Sequence, residues 1–209
     1  VIPPISSGLE GDDLHQVLAL AGHECDSLVA AYIDGGSVAL ANIGAITGAD
    51  TDGAVSGTTR YDGFMNIRFY NGSQTTADYI LTNSTTLTSD FVGRGICYAA
   101  IRFKYDDKAY YTGKAEMAFE VKGKRVYDPR LDSTNGGTGS HRLATPATWE
   151  WSRNPALCLA DYLRDDTIGM GEDDARVDWA LVAAAANICD EVLSLENDLA
   201  QSIYNGPRY

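Results

Sequence analysis

Two alternating apolar runs between residues 95 and 129 constrain the fold most strongly. The first run has apolar residues at every second position: Cys97, Ala99, Ile101, Phe103 and Tyr105. Met117, Phe119 and Val121 repeat this spacing, and Gly123 follows them. Successive side chains of a strand point to opposite faces, so each run predicts a strand with one packed face. Gly123 predicts a tight return into a strand at residues 125–127.

Two segments nearer the start of the chain also have the pattern of antiparallel strands. Residues 28–33 form a continuous apolar run, Asp34-Gly35-Gly36 forms a turn signal, and residues 37–43 resume strand character. This order predicts a hairpin. Met65, Ile67 and Phe69 alternate with Asn66, Arg68 and Tyr70 before Asn71-Gly72 closes the run. We expect the first three to be packed and the second three to face solvent.

The last third of the chain changes to a helical period. Asn154 followed by Pro155 predicts a helix over residues 156–164, with Leu157, Leu159 or Ala160, and Leu163 facing inward. Asp178 predicts the start of a second helix, which continues to about Leu195. Its inward face is predicted from apolar residues at helical spacing: Leu181, Ala184, Ala185, Ile188, Val192 and Leu195.

These patterns predict an α+β fold, in which an antiparallel β-rich domain, sheet-like or sandwich-like, precedes a C-terminal pair of α-helices. The expected organisation is an N-terminal extension (1–13), a β domain (14–130), a loop or insertion (131–150) and a helical segment packed on the β domain (151–209). Residues 44–63 and 131–148 are rich in Gly, Thr, Ser or Asp and are expected to be surface loops that bury little.

Charge and hydropathy exclude several classes of partner. The 209 residues carry a formal net charge of −13, whereas an electrostatic grip on nucleic acid needs clustered Lys and Arg. No apolar run approaches the roughly 20 residues that span a bilayer. We therefore expect neither specific nucleic-acid binding nor membrane insertion by this segment.

The cysteines and histidines give little support to a metal or cofactor. Cys25, Cys97, Cys158 and Cys189 are widely separated, so free thiols that behave as small apolar groups are expected. His15, His23 and Cys25 include zinc-ligand types but lack a fourth ligand at a standard spacing. Asp50-Thr51-Asp52-Gly53 resembles the start of a calcium loop, although a solvated turn is the better interpretation.

Catalytic motifs are also lacking in the sequence, so no enzyme activity, catalytic residue or cofactor is predicted. Aromatic residues leave a binding alternative open. The chain contains 12 tyrosines and 3 tryptophans, and aromatic faces can stack on sugar rings. Trp149 and Trp151 are more simply explained by packing at the entry to the helix that Asn154 begins.

Several linked segments give the chain a family resemblance. They are Leu18-Ala19-Leu20-Ala21-Gly22-His23-Glu24, Gly93-Arg94-Gly95-Ile96-Cys97-Tyr98, Arg102-Phe103-Lys104-Tyr105-Asp106, residues 121–130 with Tyr127-Asp128-Pro129, Trp151-Ser152-Arg153-Asn154-Pro155-Ala156-Leu157, Asp161-Tyr162-Leu163, and residues 184–191 with Asn187, Asp190 and Glu191. In order and spacing this series resembles the hub region of phage tail-tip host-specificity proteins, the central fibre proteins of lambda-like long non-contractile tails. The resemblance covers about residues 14–209.

The resemblance implies a baseplate-hub-like fold and a structural role at the distal end of a virion. Proteins of this family form homotrimeric rings that close the tail tube, contact other tail-tip proteins and the tape-measure protein, and open to pass DNA. Host receptors are contacted by more distal domains. Assembly in the host cytoplasm is implied as well. The alternative is a carbohydrate- or receptor-binding β module without a hub role.

Two departures from the family pattern accompany this expectation. The loop over 131–148 is longer than the family's link between the Tyr-Asp-Pro and Asn-Pro-Ala motifs, which suggests a local insertion. The family proteins are several times longer, so the chain is expected to be a fragment of such a protein.

Overall fold

A computed structural model describes residues 3–40, 43, 53–56 and 60–191. The described residues form antiparallel sheets and three α-helices, which confirms the α+β class. The chain divides into two compact units, Val1–Lys124 and Arg125–Tyr209. Each unit has its own apolar core.

The larger sheet of the first unit has the strand order β1-β2-β6-β5. Its strands are β1 (Ile5–Ser7), β2 (Asp13–Ala21), β5 (Met65–Tyr70) and β6 (Cys97–Lys104). All neighbours are antiparallel, with Leu14 opposite Phe103 and Ile67 opposite Ile101. Residues 1–13, expected as an extension, contribute β1 to this sheet.

The smaller sheet has the order β4-β3-β7, with β3 at Ser27–Ile33, β4 at Gly36–Val38 and β7 at Met117–Lys122. The predicted hairpin of β3 and β4 is confirmed. Asp34 and Gly35 both have positive φ, 48° and 78°, which suits the turn to the right-handed twist of the strands. The second arm ends at Val38, short of the predicted residue 43.

The core of the first unit is formed by side chains from both sheets. Ile33 and Val38 of the smaller sheet cluster with Met65, Ile67 and Ile101 of the larger one. The alternation in β5, β6 and β7 predicted this apolar set. The two antiparallel sheets of the first unit therefore share one apolar core.

The opposite face of β5 is buried too, so the prediction that Asn66, Arg68 and Tyr70 face solvent is wrong. The helix α1 (Tyr79–Ser84), which the sequence reading missed, supplies the apolar Leu81 to a second cluster with Tyr70 and Tyr98. Asp78 caps this helix through the Leu81 amide (2.7 Å) and accepts hydrogen bonds from Arg68 and from the Tyr70 hydroxyl. Burial of Arg68 is tolerated because its charge is paired with that of Asp78.

Part of the 44–63 region also departs from the expected surface loop. Val55 and Tyr61 are buried. Ala54, which precedes Val55, forms a bridge with Asn66 of β5. Apolar side chains within this Gly- and Thr-rich segment contribute to the core of the first unit. Residues 44–52 and 57–59, including most of the Asp50-Thr51-Asp52-Gly53 sequence, lie outside the described part of the chain.

The second unit contains a two-stranded sheet and the two predicted helices. The strand predicted at residues 125–127 is present as β8 (Arg125–Val126), but it pairs with β9 (Glu150–Trp151) and does not return onto β7. α2 spans Pro155–Arg164 and α3 spans Trp179–Cys189. Both predicted N-caps, Asn154 and Asp178, are confirmed. The predicted extension of α3 is wrong because Asp190 caps its end; Val192 and Leu195 lie outside the described residues.

The packed face of α2 was predicted better than that of α3. Leu157 and Ala160 are buried, whereas Leu159 is exposed. In α3 the buried face contains Val182 and Ala186, which pack with Leu157 and Val126. The face predicted to point inward is exposed, at Leu181, Ala184, Ala185 and Ile188. Both faces are apolar, so periodicity did not distinguish them.

The cysteines divide between interior and surface. Cys25 and Cys97 are buried in the first unit, as the apolar interpretation predicts. Cys158 is exposed, which contradicts that interpretation, because it lies on the side of α2 opposite Leu157 and Ala160. Burial raises the pKa of the Cys97 thiol to about 12.

Candidate functional site

The second unit brings together most of the residues that carry the family resemblance. Arg130, directly after Tyr127-Asp128-Pro129, lies at the centre. Its Nε and Nη2 atoms donate to the Asp128 carboxylate at 2.7–3.1 Å. Its Nη1 atom donates to Asn187 Oδ1 at 3.1 Å and to Asp190 Oδ2 at 2.9 Å. We call Asp128, Arg130, Asn154, Asn187 and Asp190 the Arg130 cluster.

Asn154 belongs to this cluster because its side chain serves both helices. Its Oδ1 atom accepts from the Ala156 and Leu157 amides at the start of α2. Its Nδ2 atom donates to the Ala186 carbonyl in the last turn of α3 at 2.8 Å. Hydrogen bonds from Arg130 and then from Asn154 lower the pKa of Asp190 below its ordinary value. One buried amide thus joins the beginning of α2 to the end of α3.

The local sequence explains how Arg130 reaches the cluster. Asp128 accepts from the Arg130 amide and caps a 3-10 turn over Pro129–Leu131, with Pro129 at its first position. The proline therefore begins a turn, three residues after β8 ends at Val126. This turn places the Arg130 side chain against α3 and also against the carboxylate that caps the turn.

Tyr127, which precedes Asp128, packs against two tryptophan rings of the second unit. Its ring meets that of Trp179 edge to face, with centroids 5.0 Å apart, and lies 6.1 Å from Trp149. Its hydroxyl donates to Asp132 Oδ2 at 2.8 Å and accepts from Asn135 Nδ2 at 3.1 Å. Burial raises the pKa of Tyr127 to about 12, so the hydroxyl remains protonated at neutral pH.

Asp132 holds the beginning of the 131–150 segment, whose role the sequence reading missed. It accepts from the Thr134 hydroxyl (2.6 Å), the Thr134 amide (2.8 Å) and Arg142 (3.1 Å). These bonds, led by the Thr134 hydroxyl, lower the pKa of Asp132 to about 2. His141 is also buried, and its Nδ1 atom accepts from the Asp128 amide at 3.2 Å.

The Gly-rich part of this segment approaches the Arg130 turn closely. A Cβ atom on Gly137 would lie 2.3 Å from the Arg130 carbonyl oxygen, so only glycine fits there. The expectation of a loop that buries little is therefore wrong around Asp132, Gly137 and His141. The available sequence signal was the pair Gly136-Gly137 between Asp132 and His141, since glycine allows two backbone segments to approach closely.

The remaining residues of the resemblance have different positions. Pro155 is the first residue of α2, and Trp151 lies in β9 opposite Arg125. Glu191 is exposed, and its amide donates to the Ile188 carbonyl. Gly95 lies in the first unit, where it has a φ of 71° and donates its amide to the Gly72 carbonyl at 2.9 Å. These four do not belong to the Arg130 cluster.

A cleft of about 570 Å³ lies beside the cluster. Its lining includes Arg130, Asn187, Gly137, Trp179 and Ala183. The charged atoms near this cleft are already engaged with one another, because Arg130 bonds both carboxylates of the cluster. The arrangement can fix the turn that contains Arg130 against α3.

Metal-binding clusters and membrane-spanning helices are both absent from the described part of the chain. No group of three or more His, Cys, Asp and Glu residues there is placed to hold a metal ion. His15 is buried and hydrogen-bonds Ser7 in the neighbouring strand (2.7 Å), while His23 contacts the Glu24 carbonyl. Among the same residues, no helix has the length and apolar character needed to cross a membrane.

Comparison with models of known protein families finds no match to this chain. Comparison with curated proteins also finds none.

Proposed function

We propose that this chain is a structural virion protein, part of the hub of a phage tail-tip host-specificity protein of long non-contractile tails. The Arg130 cluster is the observation that supports this role. Asp128, Asn154 and the pair Asn187 and Asp190 come from three separate segments of the resemblance, yet their side chains meet around one guanidinium or one shared amide. A set of motifs that meets in this way is consistent with inheritance of a common architecture.

The chemistry of the cluster supports an architectural function. Bidentate pairing between arginine and a carboxylate fixes distance and orientation together. Arg130 makes such a pair with Asp128 while it also bonds α3, so the Tyr-Asp-Pro turn and the Asn-x-x-Asp end of α3 are held in register. Because these side chains bond one another, they stabilise the local structure of the second unit.

In the proposed role, three copies of the full-length protein form a ring that closes the distal end of the tail tube. The ring contacts other tail-tip proteins and the end of the tape-measure protein, while domains outside this chain bind the host receptor. Opening of the ring would release DNA. The net charge of −13 suits such a conduit, because an acidic wall does not retain a duplex.

Immunogold electron microscopy tests this proposal. Antibodies raised against the chain are applied to tailed particles purified from a culture of the bacterium that carries the gene. We expect gold at the tail end opposite the capsid, and loss of the label when the antibody is first absorbed with the purified chain. Label on the capsid or along the tube would overturn the proposal, as would particles whose mass spectra lack peptides of this protein.

A further inference from the structure

The first unit contains an aromatic cleft that the proposed virion role does not use. It has a volume of about 290 Å³ and is lined by Gly11, Asp12, Leu14, Phe103, Tyr105, Tyr110, Gly113 and Lys114. Small-molecule sites usually measure about 300–1,000 Å³, so this cleft lies at the small end and has room for one ring. We call it the Tyr105 cleft.

The floor of the cleft is apolar and held in place. Phe103 is buried, and its ring meets that of Tyr110 edge to face with centroids 6.0 Å apart. The Tyr110 hydroxyl donates to the Phe64 carbonyl at 2.6 Å, which fixes the ring from its far end. Leu14 of β2 lies opposite Phe103 in the sheet register. A ligand would therefore meet a preformed apolar surface.

The rim supplies an exposed aromatic side chain. Tyr105 is 68% exposed, although it directly follows the buried strand β6. Its amide donates to the Asp12 carbonyl at 2.7 Å, and its hydroxyl donates to the Asp107 carboxylate. Both ends of the residue are thus fixed while the ring remains open to solvent. A large aromatic side chain held in water has the arrangement expected of a stacking platform.

The polar groups of the rim have opposite charges. Asp12 and Lys114 both line the cleft and are both exposed, and the Lys114 ammonium donates to Gln16 Oε1 at 2.7 Å. Lys114 would repel a strongly cationic ligand, and Asp12 would repel a strongly anionic ligand. A neutral ligand with an apolar face and several hydroxyl groups can use the aromatic surface, the acceptors of Asp12 and the donors of Lys114 together.

We propose that the Tyr105 cleft binds a single pyranose ring of a saccharide. The apolar C–H face of the sugar stacks on Tyr105 above the floor of Leu14, Phe103 and Tyr110. Its hydroxyl groups donate to the Asp12 carboxylate and accept from the Lys114 ammonium. This site goes beyond the proposed virion role and does not depend on it, because it is argued from the first unit alone.

Saturation-transfer NMR on the full chain tests the proposal with the methyl glycosides of glucose, galactose, mannose and N-acetylglucosamine. A one-ring ligand in a small open cleft should bind with a Kd on the order of millimolar. We expect transfer to the ring C–H protons of at least one glycoside, and Tyr105→Ala should weaken its binding by about three- to tenfold. Asp12→Asn should weaken the same glycoside.

Tyr111→Ala provides the matched control. Tyr111 is 72% exposed, but its ring packs against the Arg60 guanidinium at 4.6 Å and does not line the cleft. Its removal should leave glycoside binding unchanged, and near-ultraviolet circular dichroism should show that each variant is folded. The proposal is overturned by the absence of transfer to every glycoside at about 20 mM, well above the expected Kd. Equal loss in the Tyr105 and Tyr111 variants, or binding of tetramethylammonium instead of a sugar, would overturn it as well.

Discussion

The side chain of Arg130 links two separate segments of the second unit. Its guanidinium bonds a carboxylate two residues away, the Asn187 side chain in α3 and the Asp190 side chain that caps the end of α3. Lysine would keep the charge but not the fork of donors, so it cannot reproduce these bonds together. Substitution of Arg130 by lysine therefore separates the contribution of hydrogen-bond geometry from that of charge.

We predict that Arg130→Lys lowers the free energy of unfolding of the second unit by about 1–2 kcal/mol, since the lost bonds are charged but partly exposed. Urea denaturation followed by tryptophan fluorescence measures this, because Trp149, Trp151 and Trp179 all belong to the second unit. Arg176→Lys is the control, because Arg176 is exposed and its ion pair is with the partly exposed Glu172. Equal effects of the two substitutions would contradict a special role for Arg130.

Asp132 makes the second unit sensitive to acid. Its pKa in the folded protein, about 2, lies below its ordinary value. The carboxylate therefore contributes stability that is complete above about pH 4 and is lost as pH falls toward 2. The lowered pKa of Asp190 acts in the same direction.

We predict that Asp132→Asn is less stable than the native sequence at pH 7 and that the two curves of stability against pH converge between about pH 4 and pH 2. Urea titrations at several pH values, again followed by tryptophan fluorescence, measure the difference. Parallel curves over this range would show that ionisation of Asp132 does not contribute.

At the scale of elements, α2 and α3 begin with similar caps, but the two capping side chains make different numbers of hydrogen bonds. Asp178 accepts from the Leu181 amide at the start of α3. Asn154 accepts at the start of α2 and also donates to the Ala186 carbonyl. The second bond joins two helices, so its loss leaves a carbonyl unsatisfied near a buried alanine.

We predict that Asn154→Ala costs about 2 kcal/mol and Asp178→Ala about 1 kcal/mol in the free energy of unfolding of the second unit. Asn154→Ser should fall between Asn154→Ala and the native protein, since serine caps a helix but cannot reach Ala186. Thermal and urea denaturation of the three variants test this order. A serine variant as stable as the native protein would show that the bond to Ala186 is dispensable.

The sequence predicted those features whose signals are local. Asn154-Pro155 and Asp178 mark helix starts because a cap depends on residues within one turn. The faces of β5 and α3 were mistaken because their burial depends on distant partners. Arg68 is buried where its charge pairs with that of Asp78, the cap of α1, and Ala186 rather than Leu181 is packed because Leu157 lies against that side. The sequence predicted the motifs of the Arg130 cluster separately. That their side chains contact one another could be seen only in the folded structure.

At the scale of the whole molecule, charge is the property that bears on passage of DNA. We predict that a duplex of about 200 base pairs is not retarded by the full chain at about 10 µM protein and 50 mM salt, because phosphate neutralisation needs basic clusters. An electrophoretic mobility-shift assay measures this, with lysozyme as the binding control. A shifted band would contradict the proposal of an acidic conduit wall.

The pairing of distant strands also governs when the first unit can form. The central strand β6 lies between β2 and β5, and β7 completes the smaller sheet beside β3. β2 is synthesised long before its partner β6, because Leu14 pairs with Phe103, and β3 is synthesised long before its partner β7, because Ala31 pairs with Phe119. Contacts so far apart in sequence make folding slow, because closure of the intervening loop precedes the gain from pairing. During synthesis the short hairpins β1-β2 and β3-β4 can pair early, whereas the larger sheet waits for β6, which ends at Lys104, and the smaller sheet waits for β7, which ends at Lys122.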